Sequence, residues 1–319
     1  MKLTLFILLF PLLAHSSIAP ASEVVDRGGS PQDINAISDW CNKLGKELKS
    51  VEKNKCLAMN WKSEIKSPHG VAIPYLQWGS SQSPDAKKIM VLGAVHGDEI
   101  AAVSVVFRWI DFLERTKKDS FLRKNEYLFV PLVNPDGFYA QPRSRTNSNG
   151  VDINRNFATE NWNEKATVYW KEKAKSDPRR FPGKVGASET ETQFVQKWIE
   201  DFKPDLIISV HAPYCLVDYD GPIEFPKIKG PLPVRTLGAY PGSLGTYAGV
   251  ERKIPVVTPE LSSANQIKSK KHVEDLFLFI MKAKIDSRIT KDANQGAATT
   301  TGSREDGTTT SNQPSKTAS

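Results

Sequence analysis

Cysteine, histidine and long apolar runs are all scarce in this sequence. Its 319 residues include three cysteines and five histidines, too few cysteines for a small disulfide-rich scaffold. Beyond residue 21, no apolar run approaches the roughly 20 residues of a membrane-spanning helix, which argues against a membrane bundle. The formal net charge is +7, but Lys and Arg are scattered. Without a continuous basic run, nucleic-acid binding has little support.

The rest of the composition is typical of a soluble globular protein, with 39% hydrophobic and 25% charged residues. The N-terminus differs: Lys2 precedes the apolar run Leu3–Leu13, and Ala19-Pro20-Ala21 follows. This pattern predicts a secretory signal peptide over residues 1–21. The alternative, an uncleaved anchor helix, is disfavoured because the run is short and Pro11 interrupts it. We therefore expect a periplasmic or secreted protein with no stable membrane insertion after cleavage.

Export would permit disulfide bonds, and Cys41 and Cys56 are close in sequence. We predict that they form a disulfide within an N-terminal extension, residues 22–80, which leaves Cys215 as a free thiol. Three free buried thiols are the alternative, favoured if the chain is not exported. A pI near 9.1 would also draw an exported protein towards acidic cell-wall peptides.

From Lys88 onwards, apolar runs alternate with amphipathic stretches, a pattern that indicates a sheet covered by helices on both faces. The predicted buried strands are Ile89–Ala94, Tyr127–Val133, Leu206–Val210 and Pro255–Thr258. The predicted helices are Ile34–Leu48, Ile100–Arg115, a helix opened by a Ser188/Glu191 capping box and ending at Phe202, and Gln266–Ile285. We assign residues 81–289 to the main domain. Residues 290–319 are polar and predict a disordered tail.

Two of the few histidines follow predicted strands. His96 and Glu99 lie between a strand and a helix, and His211 directly follows the run Leu206–Val210. Open α/β sheets place their sites at such strand ends. Two imidazoles and one carboxylate form a ligand set of hydrolytic zinc sites. Each histidine alone would more often be structural, but together they predict a zinc site.

A hydrolytic zinc site also needs a general base that is not a ligand. Glu260 ends the run Ile254–Glu260 and is the candidate, although in isolation a solvated loop carboxylate would be the simpler interpretation. Between the histidines lies the polar stretch Arg143–Phe157, dense in arginine and asparagine. Guanidinium groups suit carboxylate recognition and oxyanion stabilisation, whereas an exposed turn is the competing interpretation.

The sequence resembles the zinc carboxypeptidases of the carboxypeptidase A type, and most closely their murein peptide amidase A group. The resemblance runs from about Lys88 to Ser262. Ordered motifs carry it, and one alone would be weak evidence: His96-Gly97-Asp98-Glu99, Asn134-Pro135-Asp136-Gly137, Gly150-Val151-Asp152-Ile153-Asn154-Arg155-Asn156-Phe157, His211-Ala212-Pro213 and Thr258-Pro259-Glu260-Leu261.

The resemblance implies a three-layer α/β/α sandwich with a mixed, mostly parallel central sheet. It also implies one zinc ion per chain, ligated by His96, Glu99 and His211, with Glu260 as general base. Asn154 and Arg155 would hold the substrate's terminal carboxylate.

By the same resemblance, Arg145 would polarise the scissile carbonyl, with Arg143 as a competing candidate. The family's mobile tyrosine has no clean counterpart; Tyr240 is the preferred candidate and Tyr247 the second.

The resemblance and the signal peptide together predict hydrolysis of the γ-D-glutamyl to meso-diaminopimelate bond of murein tripeptides, free or attached to the wall. The first alternative is a general secreted metallocarboxypeptidase that removes C-terminal L-amino acids. Deacylation of N-acyl amino acids fits less well, because the related deacylases lack the complete Asn-Pro-Asp-Gly motif that this sequence has at residues 134–137. A catalytically inactive wall-binding protein would need a missing ligand or base, and none is missing.

Overall fold

A computed structural model describes residues 31–79, 84–283 and 285. The predicted signal peptide, residues 1–21, and the predicted tail, residues 290–319, lie outside these residues. Within the described ranges, no helix combines the length and the apolarity that crossing a bilayer requires.

The centre of the molecule is a six-stranded mixed sheet with the order β1-β3-β2-β4-β6-β5. Its strands are β1 (Leu76–Trp78), β2 (Lys88–Gly93), β3 (Glu126–Val130), β4 (Leu206–Val210), β5 (Leu216–Asp220) and β6 (Val256–Glu260). The four inner strands pair in parallel, and the edge strands β1 and β5 pair antiparallel. The predicted mixed, mostly parallel sheet is confirmed.

The four inner strands are the four that the sequence predicts, because a parallel strand covered on both faces is a continuous apolar run. Their observed bounds differ by up to three residues from the predicted ones. The edge strands were not predicted. β1 has only three residues, and β5 contains Asp218 and Asp220, which break its apolar pattern.

Helices cover both faces of the sheet, which completes the predicted three layers. They are α1 (Pro31–Glu47), α2 (Lys53–Ala58), α3 (Ile100–Arg115), α4 (Pro135–Tyr139), α5 (Trp162–Glu172), α6 (Thr190–Phe202) and α7 (Lys270–Lys282), with a π-helix at Gly245–Glu251. One apolar cluster joins α1, α3 and α7 to one face of the sheet, and a second joins α6 and the π-helix to the other.

The predicted capping box of α6 is wrong. The N-cap residue of this helix is Glu189, and no side chain caps it. The Ser188 hydroxyl instead donates to the Glu189 carboxylate (2.6 Å) and accepts from Asn156 Nδ2 (3.0 Å). The last helix begins at Lys270, four residues later than predicted, because Ser269 caps it by accepting from the His272 amide.

The N-terminal extension shares the core of the main domain. Cys41 and Cys56 form a disulfide that joins α1 to α2, and Cys215 is free. Trp40 packs edge-on against Trp61, and both contact Phe107 of α3. The extension also supplies the edge strand β1 to the sheet. Removing it would therefore expose both core aromatics and an unpaired edge.

Candidate metal centre

Three strand ends bring the predicted metal ligands together. β2, β4 and β6 are parallel, so their carboxyl ends lie at one edge of the sheet. His96 and Glu99 follow β2, and His211 directly follows β4. All three side chains are buried, and one donor atom of each lies within 4.8 Å of the other two.

The donor atoms converge on a single point. His96 Nδ1 lies 2.8 Å from Glu99 Oε1, His211 Nδ1 lies 2.9 Å from Glu99 Oε2, and the two Nδ1 atoms are 3.0 Å apart. Ligands of a tetrahedral zinc ion, bound at about 2.1 Å, are roughly 3.4 Å from one another. Both the spacing and the donor types therefore fit one zinc ion, with a position left for water or substrate.

The opposite ring nitrogens of the histidines also have polar neighbours. His96 Nε2 lies 3.3 Å from Asp152 Oδ1, and His211 Nε2 lies 3.1 Å from Ser209 Oγ. A metal-binding histidine commonly points its second nitrogen at such a group, which fixes the ring orientation and the tautomer. Asp152 was not predicted as a site residue, although it lies within the polar stretch Arg143–Phe157 that the sequence singles out.

The buried carboxylates of the centre are held in their charged forms. Burial alone would raise the pKa of Glu99, but His96 and His211 hold it well below its usual range. Burial likewise opposes ionisation of Asp152, whose pKa is nevertheless strongly lowered by Arg145 and then by His96. Glu99 is thus ionised at neutral pH, as a metal ligand must be.

A close backbone contact fixes the loop that carries His96 and Glu99. A Cβ atom at Gly97 would lie 2.3 Å from the carbonyl carbon of Gly137, so only glycine fits there. In the facing turn, Asn134 accepts from the Gly137 amide (2.8 Å) and donates to the Arg145 carbonyl (3.1 Å). The Asn134–Gly137 motif is therefore a scaffold that joins the metal loop to the arginine stretch.

Glu260, at the end of β6, lies beside the metal ligands. Its side chain is buried, and its Oε2 atom has no hydrogen-bond partner within the described part of the chain. Burial raises the pKa of Glu260, and the nearby charge of Glu99 adds to this effect. A carboxylate with a raised pKa is a better proton acceptor, which suits a general base.

A cavity of about 410 Å³ opens over the centre. The predicted residues that line it are Glu260, Arg145, Asn154, Arg155 and Tyr240, together with the three ligands. Arg145 Nε donates to Asp152 Oδ2 (2.9 Å), and Arg145 Nη1 lies 3.1 Å from His96 Nδ1. Arg145 is therefore fixed beside the metal centre, with one nitrogen directed at it.

Arg155 and Asn154 form another part of the cavity wall. The Asn154 side chain accepts from the Leu244 amide (2.9 Å) and links this wall to the π-helix. Arg155 Nη1 donates to the Asn154 carbonyl (2.6 Å), and the guanidinium stacks on the Tyr240 ring (4.8 Å). The Nε atom of Arg155 is buried and lacks a hydrogen-bond partner among the described residues, and no ion pair within the described ranges involves this cavity-lining cation.

Two of the competing candidates lie elsewhere. Arg143 stacks on Phe138, and its Nη2 pairs with Glu47 (2.6 Å), so it does not line the cavity. Tyr247 is buried in the core against Phe157 and does not line the cavity either. Tyr240 lines the wall, and its hydroxyl donates to the Leu237 carbonyl (2.8 Å).

Asp218 and Asp220 line the cavity from β5 and were not predicted as site residues. The Asp-Tyr-Asp alternation was the available signal, because residues two apart on a strand point to the same face. Only the pairing of β5 with β6 shows which face that is.

Comparisons with known proteins agree with this geometry. The profile of the zinc carboxypeptidase family matches residues 48–226. The chain is 32% identical to murein peptide amidase A of Escherichia coli K12 over 179 residues, which covers 54% of this chain and 70% of the relative. It is 34% identical to murein peptide amidase A of Vibrio campbellii over 182 residues, with coverage of 54% and 68%.

Among solved structures, the fold is similar to that of bovine thrombin-activatable fibrinolysis inhibitor in complex with tick carboxypeptidase inhibitor. The TM-score is 0.54 at 16% identity, and the match covers 82% of this chain and 97% of the other. At this identity, the similarity concerns the fold alone.

Proposed function

This chain belongs to the zinc carboxypeptidase family, and from that premise we propose that it hydrolyses the γ-D-glutamyl to meso-diaminopimelate bond of murein tripeptides. Family membership makes it a zinc-dependent hydrolase, and the two relatives named murein peptide amidase A support the murein substrate. The observation that carries the proposal is the convergence of His96, Glu99 and His211 beside the unpartnered oxygen of Glu260.

The residues of the cavity divide the chemistry among them. Zinc, when bound by His96, Glu99 and His211, supplies a Lewis acid that polarises a carbonyl and acidifies water. Glu260 accepts the proton of the attacking water at Oε2 and then delivers it to the leaving amine. Arg145, held by Asp152, directs its positive charge at the oxygen that becomes negative as the carbonyl is attacked.

The C-terminal carboxylate of the substrate needs a cation beyond the reacting bond. Arg155 is suited to this role because it lines the cavity, forms no ion pair among the described residues and has its plane fixed against Tyr240. Guanidinium binds carboxylate through two parallel hydrogen bonds, which orients as well as attracts it. Asn154 lies beside it in the cavity wall. An enzyme that anchors this carboxylate acts on the last peptide bond of its substrate.

We place this activity outside the cytoplasm, in the periplasm or the secreted fraction. The predicted signal peptide supports this location. The disulfide between Cys41 and Cys56 supports it independently, because such bonds persist in oxidising compartments. There the enzyme would meet murein tripeptides, either free or still attached to the wall.

The direct test is mass spectrometry of L-Ala-γ-D-Glu-meso-diaminopimelate and of purified sacculi after incubation with the zinc-loaded enzyme. We expect release of diaminopimelate, and a chelator should abolish it. Glu260→Gln should lower the rate by about 10²–10⁴-fold because it removes the base. The variant should still bind one zinc ion, since Glu260 is not a ligand. The matched control is Glu164→Gln, on an exposed position of α5, which should retain the wild-type rate.

Two results would contradict the proposal. Full activity of Glu260→Gln would show that the base is misassigned. Turnover of α-linked L-peptides without any turnover of murein substrates would replace the proposal with the general secreted carboxypeptidase.

A further inference from the structure

Two carboxylates of β5 face the same cavity as the metal centre. Asp218 lies opposite Thr258 of β6, and Leu216 lies opposite Glu260. Residues directly opposite in an antiparallel pair point to the same face, as do residues two apart on one strand. Asp218 and Asp220 thus share the face of Glu260, about 7 and 14 Å further along the strand at about 3.4 Å per residue. All three line the cavity.

The fold provides space for the Asp220 carboxylate. A Cβ atom at Gly245 of the π-helix would lie 2.0 Å from Asp220 Oδ2, so any larger residue there would displace this carboxylate. A Cβ atom at Gly249 would lie 2.6 Å from the carbonyl oxygen of Asp220. The π-helix therefore approaches β5 through glycines and leaves the acid group in place at the cavity wall.

These two acids lack a cation of their own. Asp218 Oδ1 accepts from the Leu237 amide (2.7 Å), and within the described residues no ion pair involves Asp218 or Asp220. Of the arginines that line the cavity, Arg145 pairs with Asp152, Arg179 with Asp98 and Arg180 with Asp177, while Arg155 stacks on Tyr240. Burial and the neighbouring Asp218 raise the pKa of Asp220 to about 7. Two partly desolvated carboxylates without a counter-charge are costly unless a ligand supplies it.

We infer that Asp218 and Asp220 are specificity-determining residues that bind an ammonium group on the side chain of the substrate's C-terminal residue. This inference rests on the proposed function, since it concerns the same cavity. A C-terminal residue anchored at Arg155 with its amide bond at Glu260 directs its side chain into the remaining space, whose β5 wall is acidic. A long side chain with a terminal ammonium matches this wall, as in lysine or as in diaminopimelate, which carries this ammonium beside a second carboxylate, whereas an uncharged side chain leaves the carboxylates unpaired.

The test compares C-terminal lysine with C-terminal norleucine, whose side chains differ by the terminal ammonium. Each residue is joined both to L-Ala-γ-D-Glu and to an ordinary α-linked acyl group. The wild-type kcat/KM should favour lysine by about tenfold or more, the value of one charge-assisted hydrogen bond. Asp218→Asn and Asp220→Asn should each reduce this preference to about twofold or less, mainly by slowing the reaction of the lysine substrate.

Two further variants make the test specific. Asp177→Asn removes a cavity acid that is paired with Arg180, so the preference for lysine should persist. Gly245→Ala keeps both acids but displaces the Asp220 carboxylate, so the preference should fall. Retained turnover of the norleucine substrate shows that each variant is folded.

The inference is overturned if the wild-type kcat/KM is about the same for lysine and norleucine substrates. It is also overturned if the preference for lysine is unchanged in all three variants, Asp218→Asn, Asp220→Asn and Gly245→Ala. Preference for lysine on the α-linked substrates without cleavage of the γ-linked ones supports the inference and contradicts the proposed function. Cleavage of the γ-linked substrates with no preference for lysine contradicts the inference and supports the proposed function.

Discussion

Replacing Glu191 with Gln should make the protein more stable in mildly basic solution. Glu191, in the first turn of α6, is fully buried, and its carboxylate makes long contacts with Asn147 Nδ2, at 3.3 and 3.4 Å, and with the Thr190 hydroxyl, at 3.4 Å. Burial raises its pKa from 4.5 to about 7, with Asp136 and Glu189 nearby adding to the rise. The folded protein therefore retains a proton that the unfolded chain releases between these two pH values.

The sign and size of the effect follow from this difference. Because the folded state binds more protons than the unfolded state, the stability that Glu191 contributes is complete below pH 4.5 and falls until about pH 7. At about 1.4 kcal/mol for each pH unit, the whole loss is about 3 kcal/mol. About 2.5 kcal/mol of it falls between pH 5 and pH 8. Gln cannot ionise, so the free energy of unfolding of the variant does not fall in this way as the pH rises.

Urea unfolding of the two proteins, each saturated with chelator to exclude metal effects, measures the difference. At pH 5 the free energies of unfolding should lie within about 1 kcal/mol of each other. At pH 8 the variant should exceed the wild type by about 2–3 kcal/mol. Asp220 also titrates in this range but is present in both proteins, so its effect cancels. Parallel curves of stability against pH would refute the reasoning.

Two further predictions concern the metal centre and the N-terminal extension. Asp152→Asn removes the carboxylate that faces His96 Nε2 and holds Arg145. Zinc affinity, measured by chelator competition, should therefore fall about 10- to 100-fold. Unchanged affinity would show that Asp152 does not support the ligand His96. Replacing both Cys41 and Cys56 with Ser opens a loop of 15 residues and should cost roughly 3 kcal/mol of unfolding free energy, measured by urea titration. A reductant should lower the free energy of unfolding of the wild type and leave that of the variant unchanged.

The Asn134–Gly137 motif shows how a conspicuous pattern can be structural. None of its side chains lines the cavity. Asp136 is buried and accepts hydrogen bonds from the Ser67 and Ser148 hydroxyls, so it joins the N-terminal extension to the arginine stretch. With the contact between Gly97 and Gly137, this turn positions both the metal loop and Arg145. The motif therefore acts on the centre through the backbone that it holds.

The sequence by itself determined the inner sheet and the composition of the metal centre. Continuous apolar runs belong to strands buried on both faces, and parallel strands place their carboxyl ends together. His96, Glu99, His211 and Glu260 could therefore be assigned to one edge of the sheet before any distance was known.

Only the tertiary structure decided which other side chains share the cavity. Arg143 and Arg145 are two residues apart in sequence, yet one pairs with Glu47 on the extension and the other with Asp152 at the centre. Asp218 and Asp220 face the cavity because β5 pairs antiparallel with β6 at the edge of the sheet. No local sequence pattern predicts this pairing. Local patterns report burial and periodicity, whereas the partner of a charged side chain depends on chain segments that are distant in sequence and meet only in the folded protein.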